Sequence, residues 1–357
     1  MTVKVGIPRG LLYYKYYTLW VTFFKHLGAE VILSRPTNKN ILNNGTKNSV
    51  DDACIPVKVY HGHVLDLKDK VDYIFIPRIM GLKKGEYICP KFCGLPEMIK
   101  YSLDDLPEII DTKIDFTKNI RKLNKTIYKI GSYVCNDPKK IKYAYELALL
   151  KYNQHKNQVK KGYIPHDARQ PKDYLKSELE TDQKKIMIMA HPYIIYDNYL
   201  NMNVINKVRD AGLEVITPDM LHDDLINDSA KRYDGKLFWT FAKHLIGTSL
   251  NIVDKKDVDG VIYISSFGCG IDSVVAETAE RRIRNHTTIP YMLMTLDEHS
   301  GEAGFNTRLE AFIDMIKFKD ELMNKNKNQN DKELNTTDDH YHQGSSQVDY
   351  EQVSLER

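Results

Sequence analysis

The sequence predicts an α/β fold, on three observations. Short β-branched runs alternate with helical patterns along most of the chain. One strand, loop, helix, strand plan occurs twice, starting at Val3 and again at Lys185. In each half a further apolar run follows a Val-Asp dipeptide, at Val71-Asp72 and at Val258-Asp259. Strands buried on both faces of a parallel sheet read as near-continuous apolar runs of this kind. At 357 residues, and with roughly 150 residues per domain, the expectation is two Rossmann-like parallel-sheet domains with an interdomain cleft.

Taken in order, residues 3–7 read as a strand, Pro8-Arg9-Gly10 as a turn, residues up to Leu27 as a helix, and 30–33 as a second strand. Gly28 between them suits a left-handed helix end, which glycine adopts without Cβ strain. Residues 73–77 form the third run, and 116–160 look helical. The turn-prone, charged stretch 162–184 marks the boundary. The second unit runs from a strand at 186–189, through His191-Pro192-Tyr193 and one helix to Asp210, to Gly212 and a strand at 214–217. Strands at 261–264 and 291–296 and a helix over 301–322 follow. The predicted domains are therefore 1–160 and 184–323. Residues 324–357 are polar, lack a buried face, and read as a disordered tail in which His340 and His342 are solvated.

Fifty-one basic residues against 48 acidic ones, a formal charge of +3, give no reason to expect a nucleic-acid or membrane-surface protein. No apolar run reaches the roughly 18 residues of a bilayer span, and MTVKVGIPRG has no signal-peptide core. A cytoplasmic location is the expectation. The five cysteines, at 54, 89, 93, 135 and 269, do not form a secreted disulfide pattern.

In open parallel sheets, ligands collect at the carboxyl ends of the strands. Cys269, in S-S-F-G-C-G-I-D-S, follows one predicted strand, and Cys89, in G-E-Y-I-C-P-K-F-C-G-L-P, follows another. Cys54 precedes Ile55-Pro56 and a helical pattern, which places it at or near a helix N-cap. A thiol at a helix N-terminus is stabilised as thiolate, the form that ligates metal or attacks. Packing as small buried hydrophobes is the competing reading. Cys89 and Cys93 make a C-x3-C, so Cys93 is either a further ligand or a packed neighbour; Cys135 reads as a core thiol. No C-x2-C pair is present, which excludes a zinc ribbon and the bacterial ferredoxin run.

Gly6-Ile-Pro-Arg9-Gly10 reads as an anion-cradling loop or as a plain strand-to-helix turn. The aromatic run 13–20 reads as a buried helix. His61 and His63 point to different faces of one helix, so a joint metal site is excluded. His191, near Tyr193, Tyr196 and Asp197, reads as a hydrogen-bond donor to a cleft ligand or as a packed cap. In Asp297-Glu298-His299-Ser300-Gly301-Glu302, Glu298 and His299 form a candidate proton-transfer pair, or a helix start with first-turn acids. The Arg281-Arg282-Ile-Arg284 run reads as a surface face.

Several long segments in order resemble one family. They are G-I-P-R-G-L-L-Y-Y-K-Y (6–16), D-D-A-C-I-P-V-K-V-Y-H-G-H (51–63), E-Y-I-C-P-K-F-C-G-L-P (86–96), H-P-Y-I-I-Y-D (191–197), F-G-C-G-I-D-S (267–273) and L-D-E-H-S-G-E-A-G-F-N-T-R-L-E-A-F (296–312). Over about residues 3–320 the chain is similar to the acyl-CoA dehydratase activase-related proteins, which look like distant relatives of the iron-sulfur subunits of 2-hydroxyacyl-CoA dehydratases. The resemblance implies Cys54, Cys89 and Cys269 as ligands of an iron-sulfur cluster, of 4Fe-4S type, in anaerobic metabolism. It further implies an ATP-dependent activase as partner, and an acyl-CoA or other small molecule as substrate. Cys93 and Ile271 depart from the family pattern, where an apolar residue and a proline are expected. No Walker loop is present, so the energy source is external. A non-catalytic electron carrier or cluster scaffold, and a metal-free α/β ligand-binding protein, stand as the alternatives.

Overall fold

A computed structural model describes residues 2–118, 120–165, 174–176 and 183–318. The chain begins with β1 (Lys4–Ile7), α1 (Tyr13–Leu27), β2 (Glu30–Leu33), α2 (Lys39–Lys47) and α3 (Ile55–Leu67). Then come β3 (Tyr73–Phe75), β4 (Arg78–Gly81), α4 (Pro90–Ser102), β5 (Glu108–Ile110), β6 (Lys113–Asp115), α5 (Ile120–Gly131) and α6 (Pro138–Lys160). A short antiparallel pair, β7 (Tyr163–Pro165) and β8 (Tyr174–Lys176), precedes β9 (Lys185–Met189). The rest comprises α7 (Pro192–Ile195), α8 (Val204–Asp210), β10 (Glu214–Ile216), α9 (Asp223–Ala230), α10 (Thr240–Lys255), β11 (Gly260–Ser266), α11 (Gly270–His286) and β12 (Tyr291–Leu296). Residues 302–318 are helical. The tail predicted for 324–357 and most of the charged stretch 166–182 lie outside the described residues.

The fold is α/β with two four-stranded sheets, ordered β2-β1-β3-β5 and β10-β9-β11-β12, and every pairing within them is parallel. Both sheets therefore share one strand order, and in each the order reverses beside the first strand, between β1 and β3 and between β9 and β11. Of the central strands, β11 is buried end to end and β9 from Ile186 onward: Ile262, Tyr263 and Ile264 of β11, and Ile186 and Ile188 of β9, are fully enclosed. That burial is what the continuous apolar runs require. Gly28 and Gly212 take positive φ, +98° and +80°, at the predicted helix ends. Residues 1–307 form one compact unit, which holds both sheets.

The loop expected at 191–193 and the single helix expected after it to Asp210 are instead two helices, α7 and α8. Asp197 accepts the N–H groups of Tyr199 and Leu200 at 3.1 Å and the Thr37 hydroxyl at 2.5 Å, and Met202 and Asn203 are left-handed. Short polar side chains that bond nearby backbone compete with helix in this way. The helical stretch expected at 116–160 likewise breaks, with β6 before it and a gap between α5 and α6 where Pro138 starts the second helix capped by Asp137. The aromatic run is α1, with Tyr13, Tyr17 and Trp20 buried.

A candidate sulfur-lined site at converging helix starts

Cys54, Cys89 and Cys269 are the N-cap residues of α3, α4 and α11. Pro56 and Pro90 stand in the first turns of α3 and α4, where the missing N–H costs no helical bond. All three cysteines line one cavity of about 130 Å³, together with Leu11, Val57, Tyr87, Ile88, Phe92, His191, Tyr193, Trp239 and Phe241. His191 caps α7 and Trp239 caps α10, so five helices start at this cavity, none with a side-chain cap hydrogen bond.

Local contacts bring these starts together. The Cys89 loop is tied to the start of α10: the Tyr87 N–H donates to the Phe238 carbonyl at 2.6 Å, and the Thr240 N–H donates to the Tyr87 carbonyl at 2.9 Å. Lys243 adds an ion pair to Glu86 at 2.8 Å. On the other side Gly268, at φ +76°, lies against the Cys54 backbone, with its hydrogen where a Cβ would stand 3.4 Å from Cys54 Cα. A side chain there meets a left-handed backbone penalty of roughly 1–2 kcal/mol.

The electrostatics follow from crowding thiols in an apolar space. Burial pushes the Cys269 thiol up to about 12, with the Asp272 carboxylate and the other two thiols adding to the effect. Burial also raises Cys89, and Cys54 adds to it. The first-turn N–H groups of Lys91 and Asp272 pull the other way, toward thiolate. The Tyr193 hydroxyl, raised first by burial, then by Cys269 and Cys54, stays protonated beside the sulfurs.

His191 and Cys269 leave adjacent strands, β9 and β11, at the point where strand order reverses, the ligand position of open α/β sheets. His191 is 4% exposed and Asp272 is 0% exposed. A His191 ring nitrogen, the Cys269 sulfur and an Asp272 oxygen lie within 4.8 Å of one another. Tyr263 donates to Asp272 Oδ1 at 2.5 Å. Neither His191 Nδ1 nor Asp272 Oδ2 has a hydrogen-bond partner among the described residues. Leaving each such atom unsatisfied costs about 1–3 kcal/mol.

The remaining predicted residues lie elsewhere. Cys93, one turn into α4, directs its thiol to Met80 Sδ at 3.3 Å and does not line the cavity. Cys135 follows α5. Glu298 pairs with Lys58 of α3 at 2.5 Å, which holds its carboxyl below the usual range, and it lines a different cavity. His299 is exposed, with its N–H donated to Asp297. The structure thus brings neither Glu298 nor His299 to the sulfurs. Arg9 is 5% exposed with its N–H on Ser34, so its loop offers no open anion cradle. His61 bonds the Val57 carbonyl, while His63 bonds Ser34 and Thr37. The aromatic walls Trp239 and Phe241 carried no sequence signal, because L-F-W-T-F-A reads as ordinary core.

The donor chemistry fits an iron-sulfur group: three sulfurs from three separate elements meet in apolar walls, with first-turn N–H groups at two of them and glycine on both sides of Cys269. Among the described residues no helix is long and apolar enough to cross a membrane. A family model described as "CoA enzyme activase uncharacterised domain" matches residues 4–221, a span that includes Cys54, Cys89 and His191. A search of curated proteins finds no match.

Proposed function

The chain belongs to this CoA enzyme activase-related family, and from that premise we propose that it holds a 4Fe-4S cluster on Cys54, Cys89 and Cys269. In this reading the two sheets are the cores of two Rossmann-like domains, with their boundary near residues 160–184, and the sulfur cavity is the cleft between them. A separate ATP-dependent activase delivers the electron, and an acyl-CoA or similar small molecule receives it. The observation that carries the proposal is that cysteines 54, 89 and 269, far apart in sequence, cap three different helices and line one cavity.

When bound, such a cluster supplies one-electron transfer at low potential. The chain's own residues do the rest. The Lys91 and Asp272 N–H groups, in the first turns of α4 and α11, lie on the Cys89 and Cys269 sulfurs and would favour a negatively charged centre there. Leu11, Val57, Ile88, Phe92 and Phe241 exclude water from it, and the Tyr87 and Gly268 contacts fix the distance between the loops. With Cys93 turned to Met80, the cysteine set stops at three.

The test is anaerobic reconstitution of the full chain with iron and sulfide, followed by analysis of both per chain. Cys54→Ala, Cys89→Ala and Cys269→Ala are each expected to lose the cluster, and Cys93→Ala to keep it. Retention of full iron and sulfide in any of the first three refutes the ligand set. Turnover of an added acyl-CoA with reduced activase separates an enzyme from an electron carrier.

A further inference from the structure

Three cysteines leave one cluster position without a sulfur donor from the protein. The geometry points to His191 as the ligand at that position, an inference that rests on the cluster reading above. His191 stands between β9 and α7, and lines the same cavity as the three sulfurs. One of its ring nitrogens lies within 4.8 Å of the Cys269 sulfur. The ring is held from two sides, stacked on Tyr193 at 5.0 Å and met edge-on by Phe241 at 5.3 Å. It is fixed in place, yet among the described residues it makes no hydrogen bond that would explain its burial. Nε2 faces Asp272 Oδ1 at 3.7 Å, beyond hydrogen-bond length, and Nδ1 has no partner among the described residues.

A buried imidazole backed by a carboxylate is the usual surrounding of a metal-bound histidine, in which the carboxylate sets the tautomer and the ring orientation. Asp272 fills that role. It is itself fixed by the Tyr263 hydroxyl at 2.5 Å, and it keeps one oxygen unpartnered. With Nε2 turned to Asp272, Nδ1 is the nitrogen available to iron, for which imidazole is a suitable ligand. Histidine in place of a cysteine removes a negative charge from the ligand set and raises the reduction potential. The resulting Cys3His site is coordinatively closed at rest and suited to electron carriage.

The full chain is reconstituted anaerobically from natural-abundance and 15N-histidine protein, reduced, and studied by pulsed electron paramagnetic resonance. The expected result is a directly bound nitrogen coupling that changes with 15N-histidine and disappears in His191→Ala. His191→Cys should retain full iron and sulfide, lose the nitrogen coupling and titrate at a lower potential. Asp272→Asn should keep the cluster and alter the nitrogen coupling. A loaded cluster without nitrogen coupling, or with coupling that survives His191→Ala, overturns the histidine assignment and leaves the three-cysteine reading intact. Iron bound without sulfide and lost in Asp272→Asn points to a single ion on Cys269, His191 and Asp272, and overturns both. A wild-type chain that takes up no iron also overturns both.

Discussion

Gly62→Ala should damage the protein far more than its single added methyl suggests. Gly62 lies inside α3 where that helix crosses α2, and a Cβ built there stands 1.9 Å from the Ile41 carbonyl oxygen. The reciprocal contact is as close: a Cβ at Gly45 stands 1.9 Å from the Lys58 carbonyl oxygen. Both obstacles are helix backbone, so no rotamer relieves them, and the helices must part by about 1 Å or more. Overpacking of a closed core costs about 1–3 kcal/mol. A backbone obstacle places this site at the upper end, near 3 kcal/mol. The displacement also pulls apart the small cluster of Ile41, Leu42, Ile55 and Val59. The control is Gly94→Ala inside α4, where a Cβ meets nothing within 4 Å. That change should stabilise by about 0.5–1 kcal/mol, the usual gain of alanine over glycine in a helix. Urea unfolding of the two variants beside wild type measures both. Because Cys54 caps α3, Gly62→Ala should lower iron uptake as well, while Gly94→Ala should not. A Gly62→Ala midpoint equivalent to less than 1 kcal/mol of loss refutes the backbone-contact reasoning.

Glu298→Gln leaves the Lys58 ammonium, whose side chain is 4% exposed, without its counter-charge. Breaking a buried pair costs about 3–5 kcal/mol, and the low end is expected because the Glu298 side chain is 18% exposed. Lys58 holds the Glu298 carboxyl below its usual range, so this contribution is full above the ordinary carboxyl value and is lost as pH falls through the folded one. Unfolding curves of wild type and Glu298→Gln should therefore differ at pH 7 and converge in acid; a constant gap contradicts the assignment. Among the histidines that burial lowers, His63 falls to about 3 and His155 and His244 to about 4. The unfolded chain binds more protons than the folded one between those values and 6.5, so stability is full above pH 6.5 and falls below it. The slope reaches about 1.4 kcal/mol per pH unit for each histidine. Urea midpoints from pH 7.5 to 4 measure this slope, His63→Gln should make it shallower, and a flat profile removes the argument. Cys93→Ala should cost about 1 kcal/mol or less, since its thiol turns to Met80 across a half-buried edge; a larger loss on thermal unfolding contradicts that placement.

Much of the architecture was legible because its signals are local. The strands at 30–33 and 291–296 have the bounds that their apolar runs predict, and Cys54 caps its helix because Pro56 two residues on fixes the helix start. The break at Asp197 was not legible: its partner Thr37 lies in the other half of the chain, and only folding makes their bond. The same holds for Glu298. Its neighbours in sequence suggested an acid beside a histidine, whereas its partner is Lys58, brought to it from α3. The sulfur cavity was half legible. The sequence marks Cys54 as a helix cap and Cys89 and Cys269 as residues beyond strand ends, but the Tyr87 to Phe238 bond and the Gly268 contact that draw them together are tertiary. Asp272 showed only as the start of a helix; that it stands behind His191 follows from β9 and β11 being neighbours.

Asparagine and aspartate are strong N-caps, and alanine in their stead costs about 0.5–2 kcal/mol. Asn38 accepts two N–H groups of α2 and Asp137 accepts one of α6, whereas α1, α8 and α9 begin at Leu12, Asn203 and His222 without a side-chain cap bond. At the cavity the chain places cysteine three times, histidine once and tryptophan once, and none makes a cap bond. Each N-terminus there carries about half a positive charge, and apolar walls screen the mutual repulsion of such ends poorly. Stability alone favours polar caps that satisfy these N–H groups one by one. Under the proposed cluster, an anionic centre on the three sulfurs would meet the charge of these ends together, as the Lys91 and Asp272 N–H groups already do toward Cys89 and Cys269.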